Sequence, residues 1–232
     1  TSCDAISRVA SDGSAGDLIV AENGNLIIID FNGIVTDVSA QFARDAITTF
    51  ENINNFIIHA GQTVNVLGTM IVKAKHTQID GTLNGNGGGY AGAVATSTAS
   101  EARALSGESP PDTNGHGTGG LSSGGGAVTG GGGGSHAGRG GRGGEQVCEP
   151  DNNNYGCGDG GSPGAKYDDT LPLTLRPGSG GGGGAGLSST EGGAGGAGGA
   201  AMLFYSEEIV LNGNIYADGV NGGRGANDGN SS

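Results

Sequence analysis

The sequence predicts an all-β chain, a right-handed β-helix or solenoid of short coils interrupted by a long glycine-rich insertion. Two observations carry that prediction. The phrase running from Met70 to Gly87 recurs without a gap from Met202 to Gly219. Met70 aligns with Met202, Ile79 with Leu211, Gly81 with Gly213, Leu83 with Ile215 and Gly87 with Gly219. Short strand phrases repeated in a fixed pattern mark stacked β architectures. The second observation is glycine itself, 54 of 232 residues, against about 7% in an average protein. No Gly-X-Y period with abundant proline accompanies it, which excludes collagen.

The elements follow in chain order. Residues 1–50 form an N-terminal β-rich segment. Leu18–Val20 and Leu26–Phe31 read as strands separated by the turn Glu22-Asn23-Gly24-Asn25, and Ile34–Val38 alternates as a half-buried strand does. Ser39–Phe50 is ambiguous, with room for one or two helical turns after a serine cap. Residues 51–87 read as β-helix coils. Phe56–His59, Thr63–Leu67, Thr69–Ala74, Thr77–Ile79 and Thr82–Asn84 read as strands of three to six residues, broken by single Gly or Asn-Gly corners. Strands this short suit coil faces stacked in register with apolar side chains inward. The expected interior is Ile57, Val64, Val66, Ile71, Ile79 and Leu83, joined by Ile209, Leu211 and Ile215 from the closing coil in 202–232.

Residues 88–201 are the insertion. A glycine tract of this length either remains a flexible coil or packs extended polyglycine strands so closely that backbone hydrogen bonds replace a side-chain core. Ordering each residue costs on the order of 1–2 kcal/mol, so the second outcome needs nearly every backbone group paired. Punctuation by Pro163, Pro172, Pro177, Leu171, Leu173 and Leu175 favours at least partial order.

Charge and cysteine usage bound the partners. The net charge of −13, from 23 acidic and 10 basic residues, opposes a phosphate backbone, so no nucleic acid partner is expected. Arg139-Gly140-Gly141-Arg142 lacks the interleaved aromatics of an RNA-binding Arg-Gly-Gly segment. No apolar run has the length of a membrane span. Cys148 and Cys157 flank a turn-rich segment and read as a disulfide, which implies an oxidising compartment. Two free thiols, or more weakly a zinc site, are the alternatives. Cys3 is left over, either free or an interchain link. The chain opens at Thr1, as a processed exported protein would, and equally a trimmed one.

Candidate chemistry is sparse. Gly160-Gly161-Ser162-Pro163-Gly164 spells a hydrolase nucleophile elbow, but the strand before and helix after that such an elbow requires are missing from the pattern. His59, His76, His116 and His136 are scattered. Asp80-Gly81, Asn212-Gly213 and Asp218-Gly219, with Asp159, Asp168 and Asp169, offer oxygens to a structural calcium ion, without a nonapeptide or EF-hand spacing. Their first duty reads as conformational, since Asn, Asp and Gly tolerate positive φ at tight corners. No catalytic residue and no cofactor are expected, and no paired carboxylates of a polysaccharide-cleaving β-helix enzyme are legible.

These residues resemble a family of glycine-rich, β-helix-like surface proteins of bacteria, archaea and some phages. The resemblance rests on the strand pair Phe50–Ile53 and Ile57–Val64, the coil Ile79–Gly87, the glycine-rich insertion and the closing coil Ile209–Gly219. Segment 94–112 and the Cys148/Cys157 loop fall outside the pattern. The resemblance implies no catalytic residue. It implies a non-catalytic extracellular or cell-surface protein, structural or adhesive, serving as a filament or fibre subunit that self-associates. The alternative is a phage tail-fibre or tip adhesin on the virion, whose glycine-rich loops bind a surface glycan or receptor. Asn230-Ser231-Ser232 follows a coil with no visible cap. The expectation is that the natural protein continues or that a neighbouring subunit closes the end.

Overall fold

The computed structural model describes residues 11–95, 104–111, 113–120, 129–136, 141–143, 159–167, 175–186 and 192–223. Cys3, Cys148 and Cys157, with Arg139, Asp168, Asp169, Leu171, Pro172 and Leu173, lie outside the described residues. The described chain is all-β, its only helical element being a 3-10 turn at Ser39–Gln41. It divides into two units, one built from residues up to Asn86 together with Ala200–Ala217, the other from Gly87–Gly199 and Asp218 onward.

The first unit opens with a meander of β1 (Gly16–Val20), β2 (Leu26–Ile29) and β3 (Val35–Asp37). Gly24, at φ 85°, permits the first turn, where its N–H donates to the Ala21 carbonyl. In the second turn the Asp30 carboxylate accepts N–H bonds from Asn32 and Ile34, each 2.8 Å. The ambiguous stretch 39–50 resolves into the 3-10 turn and the start of a long strand.

Three long strands, β4 (Ile47–Ile58), β6 (Thr69–Ile79) and β8 (Ala201–Leu211), then pair in parallel. Three short ones, β5 (Thr63–Asn65), β7 (Thr82–Asn84) and β9 (Asn214–Tyr216), form a second parallel sheet. The sheet orders are β3-β2-β1-β4-β6-β8 and β5-β7-β9. The repeated phrases lie directly beside each other, with Met70 against Met202, Ile79 against Leu211 and Leu83 against Ile215. The corners repeat too: Asp80 and Gly81 donate to the Ile58 carbonyl, and Asn212 and Gly213 donate to that of Ile79. Neither Gly81 nor Gly213 has a positive φ. Glycine is needed there because a Cβ on Gly213 would collide with the Gly81 carbonyl. The conformational explanation expected for these corners therefore gives way to a steric one.

Inward alternation slips phase once in β6 and twice in β4, whose first slip is an irregularity at Glu51 and Asn52. Met70, Val72 and Ala74 are buried, Lys75 and His76 are not, and burial resumes at Thr77 and Ile79. In β4 the same slip occurs at Asn54 and Asn55, both of which donate to the Asp17 carboxylate. Val64, Val66, Ile79 and Leu83 are in the core. Ile57 and Ile71 are corrected to the outer face, half-buried, because Phe56, Ile58, Met70 and Val72 take the inward positions.

The second unit is held by backbone. From Gly178 to Ala185 every N–H is donated, over 2.8–3.2 Å, to three neighbouring segments in turn. Gly178, Gly181 and Gly184 donate to Gly199, Gly196 and Gly193. Ser179, Gly182 and Ala185 donate to Ser135, Gly132 and Thr129, and Gly180 and Gly183 to Glu108 and Leu105. A Cβ on Gly182 would strike the Thr118 carbonyl, so only glycine permits this spacing. One side-chain cluster interrupts the pattern: Tyr167 donates to the Pro177 carbonyl at 2.6 Å, accepts from Ser179 at 2.9 Å and stands edge-on to His136.

Candidate interaction edge

Strand β8 lies last in the six-stranded sheet and β9 last in the three-stranded one. On the β6 side β8 is well secured. Phe204 stacks on Phe56 with centroids 6.1 Å apart, Ser206 shares a 2.6 Å hydrogen bond with Thr77, and Glu208 lies 3.5 Å from His76, an ion pair when the imidazole is protonated. At the corner, Asn212 donates to the Asp80 carboxylate at 2.8 Å, and this bond, followed by that from Gln78, holds the Asp80 carboxyl below its ordinary range.

The other side of β8 has no strand against it among the described residues. Ile209, Leu211 and Ile215 were expected inside. Ile209 and Leu211 do occupy the inward rows, beside buried Thr77 and Ile79, and Ile215 stands beside Leu83. Yet they are 52%, 52% and 38% exposed, while Leu83 is fully buried. The correction has a plain cause, since each inner side chain needs a strand on both sides and these have one among the described residues. Val210 and Tyr216, also exposed, extend the apolar surface, and Glu207 and Glu208 border it. Unpaired strand edges with apolar side chains are templates for another strand. Sequence reasoning passed over Val210, Tyr216 and the two glutamates, though their register followed from the repeated phrase.

The remaining candidates are not brought together. Thr118 links to Ser162 through backbone groups and its own hydroxyl, and among the described residues Asp159–Tyr167 around it there is neither strand nor helix. His59 is on the surface near Asp80, His76 faces Glu208, His116 shares a 3.0 Å hydrogen bond with Ser109, and His136 packs on Tyr167. Among the described residues no three His, Cys, Asp or Glu side chains gather as a metal site, and no helix is long and apolar enough to cross a membrane.

The fold and the edge define an all-β chain whose paired sheets end in exposed apolar strands. The chain matches no protein-family model, no curated protein and no solved structure.

Proposed function

We propose that the chain is a non-catalytic structural or adhesive protein of the cell exterior, a subunit of a surface filament that self-associates through its open strand edge. The observation that carries this reading is the exposure of Ile209, Leu211 and Ile215 at inward register positions of the two edge strands. Burying such side chains against another copy removes apolar surface from water at about 25 cal/mol per Å². The first unit is read as a right-handed β-helix of three rungs, β4–β5, β6–β7 and β8–β9. The parallel registers and repeating corner bonds support that reading. The glycine unit is read as polyglycine packing, because a donor rotation with a period of three matches a left-handed extended helix of three residues per turn. Exterior location rests on the disulfide reading of Cys148 and Cys157 and on the family resemblance.

A phage tail-fibre or tip adhesin is the second reading. The cross-bonded glycine segments favour it, since they supply a stiff base from which loops can meet a receptor. Electron microscopy of the native protein tests the choice. Fibres with a regular axial repeat are expected. Isolated particles at every concentration would reject the filament and leave the adhesin.

A further inference from the structure

The two edges of the six-stranded sheet match each other in direction and height. β1 is parallel to β4, β6 and β8, and two antiparallel steps through β2 bring β3 back to that same direction. Two rows of paired residues cross the whole sheet. One runs Thr36, Ile28, Leu18, Phe56, Thr77, Ile209; the other runs Asp37, Ile27, Ile19, Ile57, Gln78, Val210. Both edges are apolar, and no described strand covers either. At the β3 edge Phe31, Ile34 and Val35 are 71%, 62% and 58% exposed, facing away from the Ile209–Leu211 edge across the sheet.

We propose that β8 of one copy pairs in parallel with β3 of a second copy, continuing both rows, so that copies add head to tail. This rests on the filament reading and names its joint. Row continuation sets Ile209 beside Thr36 on the inner face, Val210 beside Asp37 on the outer face and Glu208 beside Val35. No carboxylate then faces a carboxylate, an arrangement that would weaken a strand pair. Pairing β8 with its own twofold mate would instead gather Glu207 and Glu208 of both copies at one joint and leave Phe31, Ile34 and Val35 uncovered. A head-to-tail joint uses two different surfaces and does not close on itself unless the rotation between copies makes a ring, so it propagates.

Blocking the edges separately tests the joint by sedimentation velocity of the full chain, with a thiol reductant removing any link through Cys3. Ile209→Lys with Leu211→Lys blocks one edge, and Ile34→Lys with Val35→Lys the other. Ile47→Lys, on an exposed residue of the interior strand β4, is the control and should assemble as the wild type does. The expected result is that each blocked protein is monomeric and that an equal mixture of the two forms a dimer and nothing larger. If the β3-blocked protein still dimerises alone, the joint is twofold and the proposal falls. Wild-type fibres that survive either block would overturn the joint but leave the filament reading standing. A wild type that stays monomeric at high concentration overturns both. Should the β8 double variant lose its circular dichroism spectrum, Val210→Arg at an outward position supplies the same block.

Discussion

Leu83 and Ile215 stand side by side in one row of the short sheet and differ in what covers them. Leu83→Ala removes a side chain closed in on all sides, so unfolding should become easier by about 2–5 kcal/mol. Ile215→Ala should cost roughly 1 kcal/mol in the monomer, and denaturant titration of both variants measures the difference. Asp80 carries a pH signature. Its folded carboxyl titrates below the ordinary value, chiefly because Asn212 donates to it and next because Gln78 does. A depressed carboxyl stabilises the fold above the unfolded value, and that contribution is lost as pH falls through the folded value. Asn212→Ala should raise the Asp80 titration midpoint, read by carboxyl NMR, and the stability gap between variant and wild type should narrow on acidification.

Elements differ in how their amides face. Among the described strands β8 pairs with β6 alone, so every second amide along it should resist hydrogen exchange. From Gly178 to Ala185 every amide is donated, so successive amides should be protected. Exchange measured residue by residue separates the two, and alternation in the glycine segment would reject its three-neighbour packing. The pairing of β6 with β8 was legible because Met70–Gly87 and Met202–Gly219 lie side by side in register, where equal corners demand equal residues. The length of the strands was not, since Thr69–Ala74 and Thr77–Ile79 read as two short strands and are one of 11 residues. Ile57 and Ile71 misled because each sits among consecutive apolar residues, and the phase slip at Lys75–His76 hides which neighbour turns inward. The exposure of Ile209 and Leu211 was illegible for a different reason, since a residue's row says nothing about how many strands flank it. The glycine segments gave no facing signal at all, because periodicity is read from side chains and glycine has none.

For the whole molecule, the charge of −13 acts against association of like copies. Raising ionic strength shortens the Debye length from about 30 Å at 0.01 M to about 10 Å at 0.1 M. Self-association should therefore strengthen with salt over that range, which light scattering at fixed protein concentration would register. Assembly that weakens instead would place ion pairs, rather than the apolar edges, at the joint.

The pairing of β6 with β8 also imposes a schedule on synthesis. Asp80 and Asn212, which bond at the corner, lie 132 residues apart. At about 5–20 residues per second, a nascent chain holds β6 without its partner for roughly 7–26 seconds. Throughout that interval the outer edge of β6 waits for its partner, and β8 of an older copy carries the same sequence that belongs there. A cell making this protein must keep young chains apart from finished ones, or accept that some will exchange their last strand.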